Sequence, residues 1–142
     1  MNSKELHWLA GLLEGEGWFG ISKQSVRGKN YENPAISVKM VDADIIYYVK
    51  RLAGHGSIGK ADLPSGKTAY IWRTSGEKAV KLMEELYLIL GTRRQGQINL
   101  VFESWKAKKE GLGYKVRTDL IKELNLDELF SLTRKEQDHE EA

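Results

Sequence analysis

The sequence predicts an α+β domain in which four mostly antiparallel strands carry helices on one face. Two observations lead there. Apolar residues switch between helical spacing and strict alternation in the order helix, strand, strand, helix, strand, strand, helix. The helix–hairpin unit therefore occurs twice, and further helical segments follow it. The chain has 142 residues, 41% of them hydrophobic, with four Trp, which suffices for one compact core. We assign residues 1–133 to a single domain, with 119–133 as its C-terminal helix and 134–142 as a polar tail.

Ser3 is placed to cap a first helix, whose Leu6, Leu9, Ala10 and Leu13 recur at helical spacing. Gly15 and Gly17 end it. Trp18 to Gln24 alternates as a strand, with Phe19 and Ile21 on one side and Gly20, Ser22 and Gln24 on the other. Val26 to Asn33, with Arg27, Gly28 and Lys29, reads as a turn. Pro34 to Met40 is the second strand. Asp42 caps a helix through Leu52, stopped by Gly54. Ser57–Asp62 and Thr68–Thr74 form a hairpin around residues 63–67. Ser75 caps a helix to Leu90, and another runs from about Arg94 to Lys109.

Composition excludes several classes. Cysteine is absent, so there is neither a disulfide framework nor a thiolate zinc site. The first turns carry Lys4, Glu5 and His7, unlike a secretory signal, and no stretch is long enough to span a bilayer. An intracellular protein is expected, in cytoplasm or an organelle, with neither a membrane nor a small-molecule partner. Charge is uneven. Residues 1–118 hold 19 Lys and Arg against 12 Asp and Glu, whereas 119–142 hold 3 against 8. A basic body suits an anionic partner such as nucleic acid. Its contact face would be the open side of the sheet, with Ser22, Gln24, Ser37, Lys39, Ile71 and Arg73 on strands and Arg27, Lys29 and Lys67 at turns.

Residues 9–17 read Leu-Ala-Gly-Leu-Leu-Glu-Gly-Glu-Gly. At about 100° per residue, Leu6, Leu9 and Leu13 share one side of the helix. Gly11 and Gly15 lie nearly opposite, with Trp8 beside them and Leu12 at the margin. Glycine inside a helix costs up to about 1 kcal/mol against alanine, and a flat glycine strip lets another backbone approach. The motif occurs once, so the partner helix would come from a second copy, as a two-fold dimer supplies. Glu14 and Glu16 stand in the last turn, at the negative end of the helix dipole, where a sequence selected for stability would place Lys or Arg. Acids in that position suit hard cations such as Mg²⁺. Glu14 shares the polar stripe of His7 and Glu16 projects nearer Leu9 and Leu12, so Glu16 is favoured as the ligand. His7, His55 and His139 lack metal-site spacing and read as surface residues.

The nonapeptide resembles the signature of the LAGLIDADG homing endonucleases. The run Ile36–Asp44 is similar to that family's second strand and second-helix cap, and Arg94–Phe102 to its basic segment after the third helix. The resemblance implies the αββαββα LAGLIDADG homing-endonuclease fold, with a saddle-shaped antiparallel sheet and extra C-terminal helices. It implies a homodimer seamed at Trp8, Gly11, Leu12 and Gly15. It further implies double-strand cleavage of a long, near-palindromic DNA site, with Mg²⁺ at Glu16 and Gly15 and with Mn²⁺ or Ca²⁺ able to replace it for binding. Catalytic roles fall to Glu16, to Asp42 as an orienting group, and to Arg94 where many members carry Lys. Free-standing length favours an intron-encoded or independent gene. The alternative is a non-cleaving relative, a splicing maturase or a DNA-binding regulator.

Overall fold

The structure, a computed structural model, describes residues 1–109. The helix expected at 119–133 and the tail at 134–142 lie outside the described residues. Two compact units are present, one spanning Met1–Leu90 and a second beginning at Gly91.

The first unit runs α1 (Ser3–Glu16), β1 (Gly17–Val26), β2 (Lys29–Met40), α2 (Ala43–Ala53), β3 (Ser57–Asp62), β4 (Thr68–Ser75) and α3 (Glu77–Leu86), followed by a 3-10 turn at Tyr87–Ile89. The expected α+β class and element order are those observed. The four strands form one antiparallel sheet in the order β1-β2-β4-β3. In the second unit, α4 (Thr92–Lys109) is the described element. Among the described residues, no helix is long and apolar enough to cross a membrane.

The register sorts every strand residue onto one of two faces. Phe19 pairs with Ile36, which pairs with Thr74; Val38 pairs with Trp72, which pairs with Ile58. These residues make the covered face, and Phe19, Ile36, Val38, Trp72 and Thr74 are buried. α1 packs on β1 and β2, α2 on β2, β3 and β4, and α3 on β2 and β4. They contribute Leu9, Leu13, Ile46, Val49, Leu82, Met83 and Leu86 to the core. Each such side chain contributes about 1.5–3 kcal/mol when removed from water.

Trp72 is fully buried and its indole N–H donates to the His55 carbonyl at 3.0 Å. His55 Nδ1 lies 2.7 Å from Thr74 Oγ1. Gly56, at φ +98, leaves room for that indole, since a Cβ there would stand 2.5 Å from Trp72 Nε1. His55 is thus a half-buried residue pinned to the sheet, and not the surface histidine expected from sequence.

Several boundaries differ from expectation for local reasons. The first helix is capped by Asn2, whose side chain accepts from the Glu5 N–H at 2.8 Å; Ser3 is already helical. Asp42 holds the N-cap of α2 through its backbone carbonyl, which accepts from Ile45 and Ile46, and its carboxylate makes no capping bond. Gly76, at φ 73, caps α3 in place of Ser75, which ends β4. The largest difference is the β1–β2 turn. Residues 26–33 are not a long turn, because the strands continue to Val26 and from Lys29. Only Arg27 (φ 52) and Gly28 (φ 78) turn the chain. Two successive positive φ values make the tight hairpin whose twist matches its strands. The hairpin runs past its last pair with β4, Ala35–Ser75, as a two-stranded ribbon from Ile21–Pro34 to the tip.

Candidate DNA interface and catalytic end

The open face of the sheet carries the residues of opposite parity. Trp18 pairs with Ser37, Ser37 with Arg73, and Arg73 with Ser57; Lys39 pairs with Ile71; Ser22 pairs with Asn33 and Gln24 with Tyr31. All six strand residues expected to contact nucleic acid, Ser22, Gln24, Ser37, Lys39, Ile71 and Arg73, therefore share this face, as does Lys29. Arg27 stands at the tip of the ribbon, and Lys67 in the β3–β4 turn at the other end of the sheet. Lys29, Lys39 and Arg73 are exposed. No Asp or Glu occupies any strand position on the open face. The strand acids Glu32 and Asp62 belong to the covered side, where Glu32 pairs with Lys23 at 3.9 Å and Asp62 accepts from Thr68 at 3.5 Å. The open face thus carries Lys29, Lys39 and Arg73 with no strand acid beside them, which suits a polyanion.

Sequence reasoning missed three residues of this face. Tyr31 and Asn33 were hidden because their segment read as a turn. Trp18 begins the strand read from sequence and shares the parity of Ser22 and Gln24. It is 42% exposed, and Tyr31 is 46% exposed.

At the other end of β1 lies the acid pair. α1 stops at Glu16 because Gly17 adopts an extended conformation, with φ -80 and ψ 168. A Cβ on Gly17 would stand 2.6 Å from the Leu13 carbonyl oxygen, so only glycine makes this tight exit from helix to strand. The two acids are shielded in the reverse of the order expected from the helical wheel. Glu14 is half-buried with Oε2 shielded from solvent, whereas Glu16 is exposed. The wheel gives a side chain's direction and not its cover: Glu16 is the last helical residue, and its side chain stands exposed where the chain turns into β1. Gly17 pairs with Val38, and Asp42 follows four residues after Val38, so Glu16 and Asp42 belong to the same end of the β1–β2 ladder. Asp42 is exposed, and its carboxylate makes no capping bond.

The helix face opposite the core is formed by Trp8, Gly11 and Gly15, all exposed, with Leu12 half-buried at its edge. A Cβ added at Gly11 or at Gly15 would meet no atom within 4 Å. Nothing in the described chain therefore requires glycine at either position. Trp8 packs edge-on against Tyr48 of α2, with ring centroids 4.8 Å apart at 80°, and Arg51 lies 5.0 Å over the same Tyr48 ring.

In the second unit, Arg94 occupies the first turn of α4. It is buried, and its Nη1 donates to Gln97 Oε1 at 3.0 Å.

Solved structures give the architecture its name. The archaeal intron-encoded homing endonuclease I-Vdi141I, complexed with DNA, superposes with a TM-score of 0.66 at 18% identity, covering 93% of this chain and 96% of that one. This is the LAGLIDADG homing-endonuclease fold. The homing endonuclease I-TnaI matches at 0.64 and 18% identity, over 92% of this chain and 96% of its own. I-CvuI in complex with its target matches at 0.62 and 15% identity, over 94% and 97%. The LAGLIDADG homing endonuclease I-GzeII, in complex with DNA, matches at 0.61 over 84% of this chain but only 42% of its own. No protein-family model and no curated protein matches the sequence. The expected fold class is thus observed, and the fold is one on which DNA endonucleases are built.

Proposed function

We propose that this chain is one subunit of a homodimeric, metal-dependent endonuclease that cuts both strands of a long, near-palindromic DNA site. One observation carries the reading. Glu16 is exposed at the end of a helix whose outward face offers a glycine strip that the chain itself leaves uncovered. Two such helices packed across a two-fold axis bring two Glu16 carboxylates to the centre of a doubled sheet. The fold also occurs both in chains of about this length and in chains about twice as long, which fits a unit that acts as a pair.

The donor set fits Mg²⁺. Among the described residues, no three His, Cys, Asp or Glu are grouped to hold a metal. Mg²⁺ asks for no such cage, since it takes one or two carboxylates and completes its shell with water and substrate phosphate. Glu16 supplies a carboxylate, and the Gly15 carbonyl lies in the last helical turn, where helical bonding runs out. Such an ion, when bound, lowers the pKa of water and offsets charge on the scissile phosphate and on the leaving 3′ oxygen.

The protein's own residues do the rest. Lys39, Arg73, Lys29, Arg27 and Lys67 attract the duplex and fix its position through phosphates. Ser22, Gln24, Ser37 and Ile71, with Tyr31 and Asn33, present hydrogen-bonding and apolar groups to base edges in the major groove. Asp42 accepts a proton or orients water near Glu16. Arg94 stabilises negative charge developing on the phosphate, a role that rests on its sequence context.

A plasmid library carrying randomised sites, incubated with the protein and Mg²⁺, tests this. Linearised plasmids sharing one near-palindromic sequence are expected, with cutting abolished by EDTA. A protein that binds library DNA tightly yet cuts none of it would be a non-cleaving regulator or splicing factor instead.

A further inference from the structure

Of the exposed large apolar residues on the open face, Trp18, Val26 and Tyr31, Trp18 stands nearest to Glu16 along the chain. Its neighbours there are small, polar or cationic, namely Gly20, Ser22, Ser37 and Arg73, yet its indole is 42% exposed. Among the described residues, the ring makes no aromatic or cation–π contact. The indole lies over Gly20, where a Cβ would stand 2.6 Å from its Cζ2, so the glycine is the floor on which the ring rests. The exposed part of the ring is apolar surface that a partner seated on this face would take out of water.

Its location supplies the purpose. Trp18 follows Glu16 by two residues, so their Cα atoms are within about 7 Å. Across the sheet it is in line with Ser37 and Arg73. A duplex guided onto this face by Arg73 and Lys39 meets the indole beside the position where Glu16 would serve a scissile phosphate.

We propose that Trp18 is a specificity-determining residue. Its indole edge presses on the DNA at the base-pair step beside each scissile phosphate, and steps that deform readily to receive it are favoured. Apolar wedges against base steps select sequence through the cost of unstacking, and pyrimidine–purine steps yield most easily. Preference at the centre of the site then arises without a hydrogen bond to any base. The inference rests on the nuclease reading above, but it concerns DNA binding as well as cutting.

The test measures both on one library. The site selected by wild-type protein is varied at its central base pairs, and binding and cleavage of every variant are compared for wild type, Trp18→Ala, Trp18→Phe and Gly20→Ala. Wild type should favour pyrimidine–purine central steps by about tenfold. Trp18→Ala should flatten that preference, Trp18→Phe should keep most of it, and Gly20→Ala, which lifts the intact indole off its seat, should flatten it also. A Trp18→Ala protein with the wild-type profile would overturn the proposal and leave the nuclease reading standing. Wild type that binds without cutting would overturn the cleavage reading, while the binding profiles still decide Trp18. Wild type that binds no library DNA would overturn both.

Discussion

Glu16 stands exposed in the last turn of α1, one residue before the chain enters β1. Its chemistry was legible, because a carboxylate at the negative end of a helix opposes the dipole and needs a reason to be there. Its surroundings were not. A helical wheel gives direction and not cover, and at the tight exit through Gly17 Glu16 is left exposed while Glu14 is half-buried. Replacing Glu16 with Gln should abolish cleavage, retain DNA binding, and raise thermal stability by about 0.5 kcal/mol through relief of the dipole. Gel-shift, cleavage and unfolding measurements on one preparation check all three. His55 carries a separate prediction. Burial lowers its pKa below 6.5, and Lys78 lowers it further against the opposing pull of Glu85. The folded state then binds fewer protons than the unfolded state. The contribution is complete above pH 6.5 and is lost as the pH falls through the folded-state value. Urea midpoints should decline over that acid range, and the decline should be shallower in His55→Gln.

At the scale of elements, periodicity was a good guide and chain reversal a poor one. Every helix and strand of the first unit was legible, because the covered face of each segment is written as leucines at helical spacing or as alternation such as Ile36, Val38 and Met40. The β1–β2 ribbon was underestimated for a physical reason. Beyond Ala35 it loses its pairing with β4, so residues 26–33 have little covered face to encode. Only the backbone requirement at Arg27–Gly28 marks the reversal. Two glycine substitutions separate packing from propensity. Gly11→Ala should stabilise the isolated chain by up to about 1 kcal/mol, since its Cβ meets nothing in this chain. Gly56→Ala should destabilise it by more than about 1 kcal/mol, since φ is +98 and the Cβ would meet Trp72. Chemical denaturation of both variants, in protein dilute enough to remain monomeric, distinguishes the signs.

For the molecule as a whole, the sequence announced a basic body, but charge totals could not say where the charge lay. Strand register resolves that, with Lys29, Lys39 and Arg73 and no acid on the open face, and with Glu32 and Asp62 alongside Lys23 and Lys60 on the other. Removing Lys39 or Arg73 should each weaken DNA binding and reduce the slope of log affinity against log salt by about 1. A titration across salt concentrations measures it. In the proposed nuclease, Glu16 acts only in an assembly of two copies closed along Gly11 and Gly15. The most direct measurement is the activity of Gly15→Leu. The side chain has open space within its own chain, so the protein should fold as wild type does by circular dichroism. It should sediment as a monomer and make no double-strand cuts with Glu16 intact. A folded, monomeric Gly15→Leu protein that still linearises target plasmid would contradict the account.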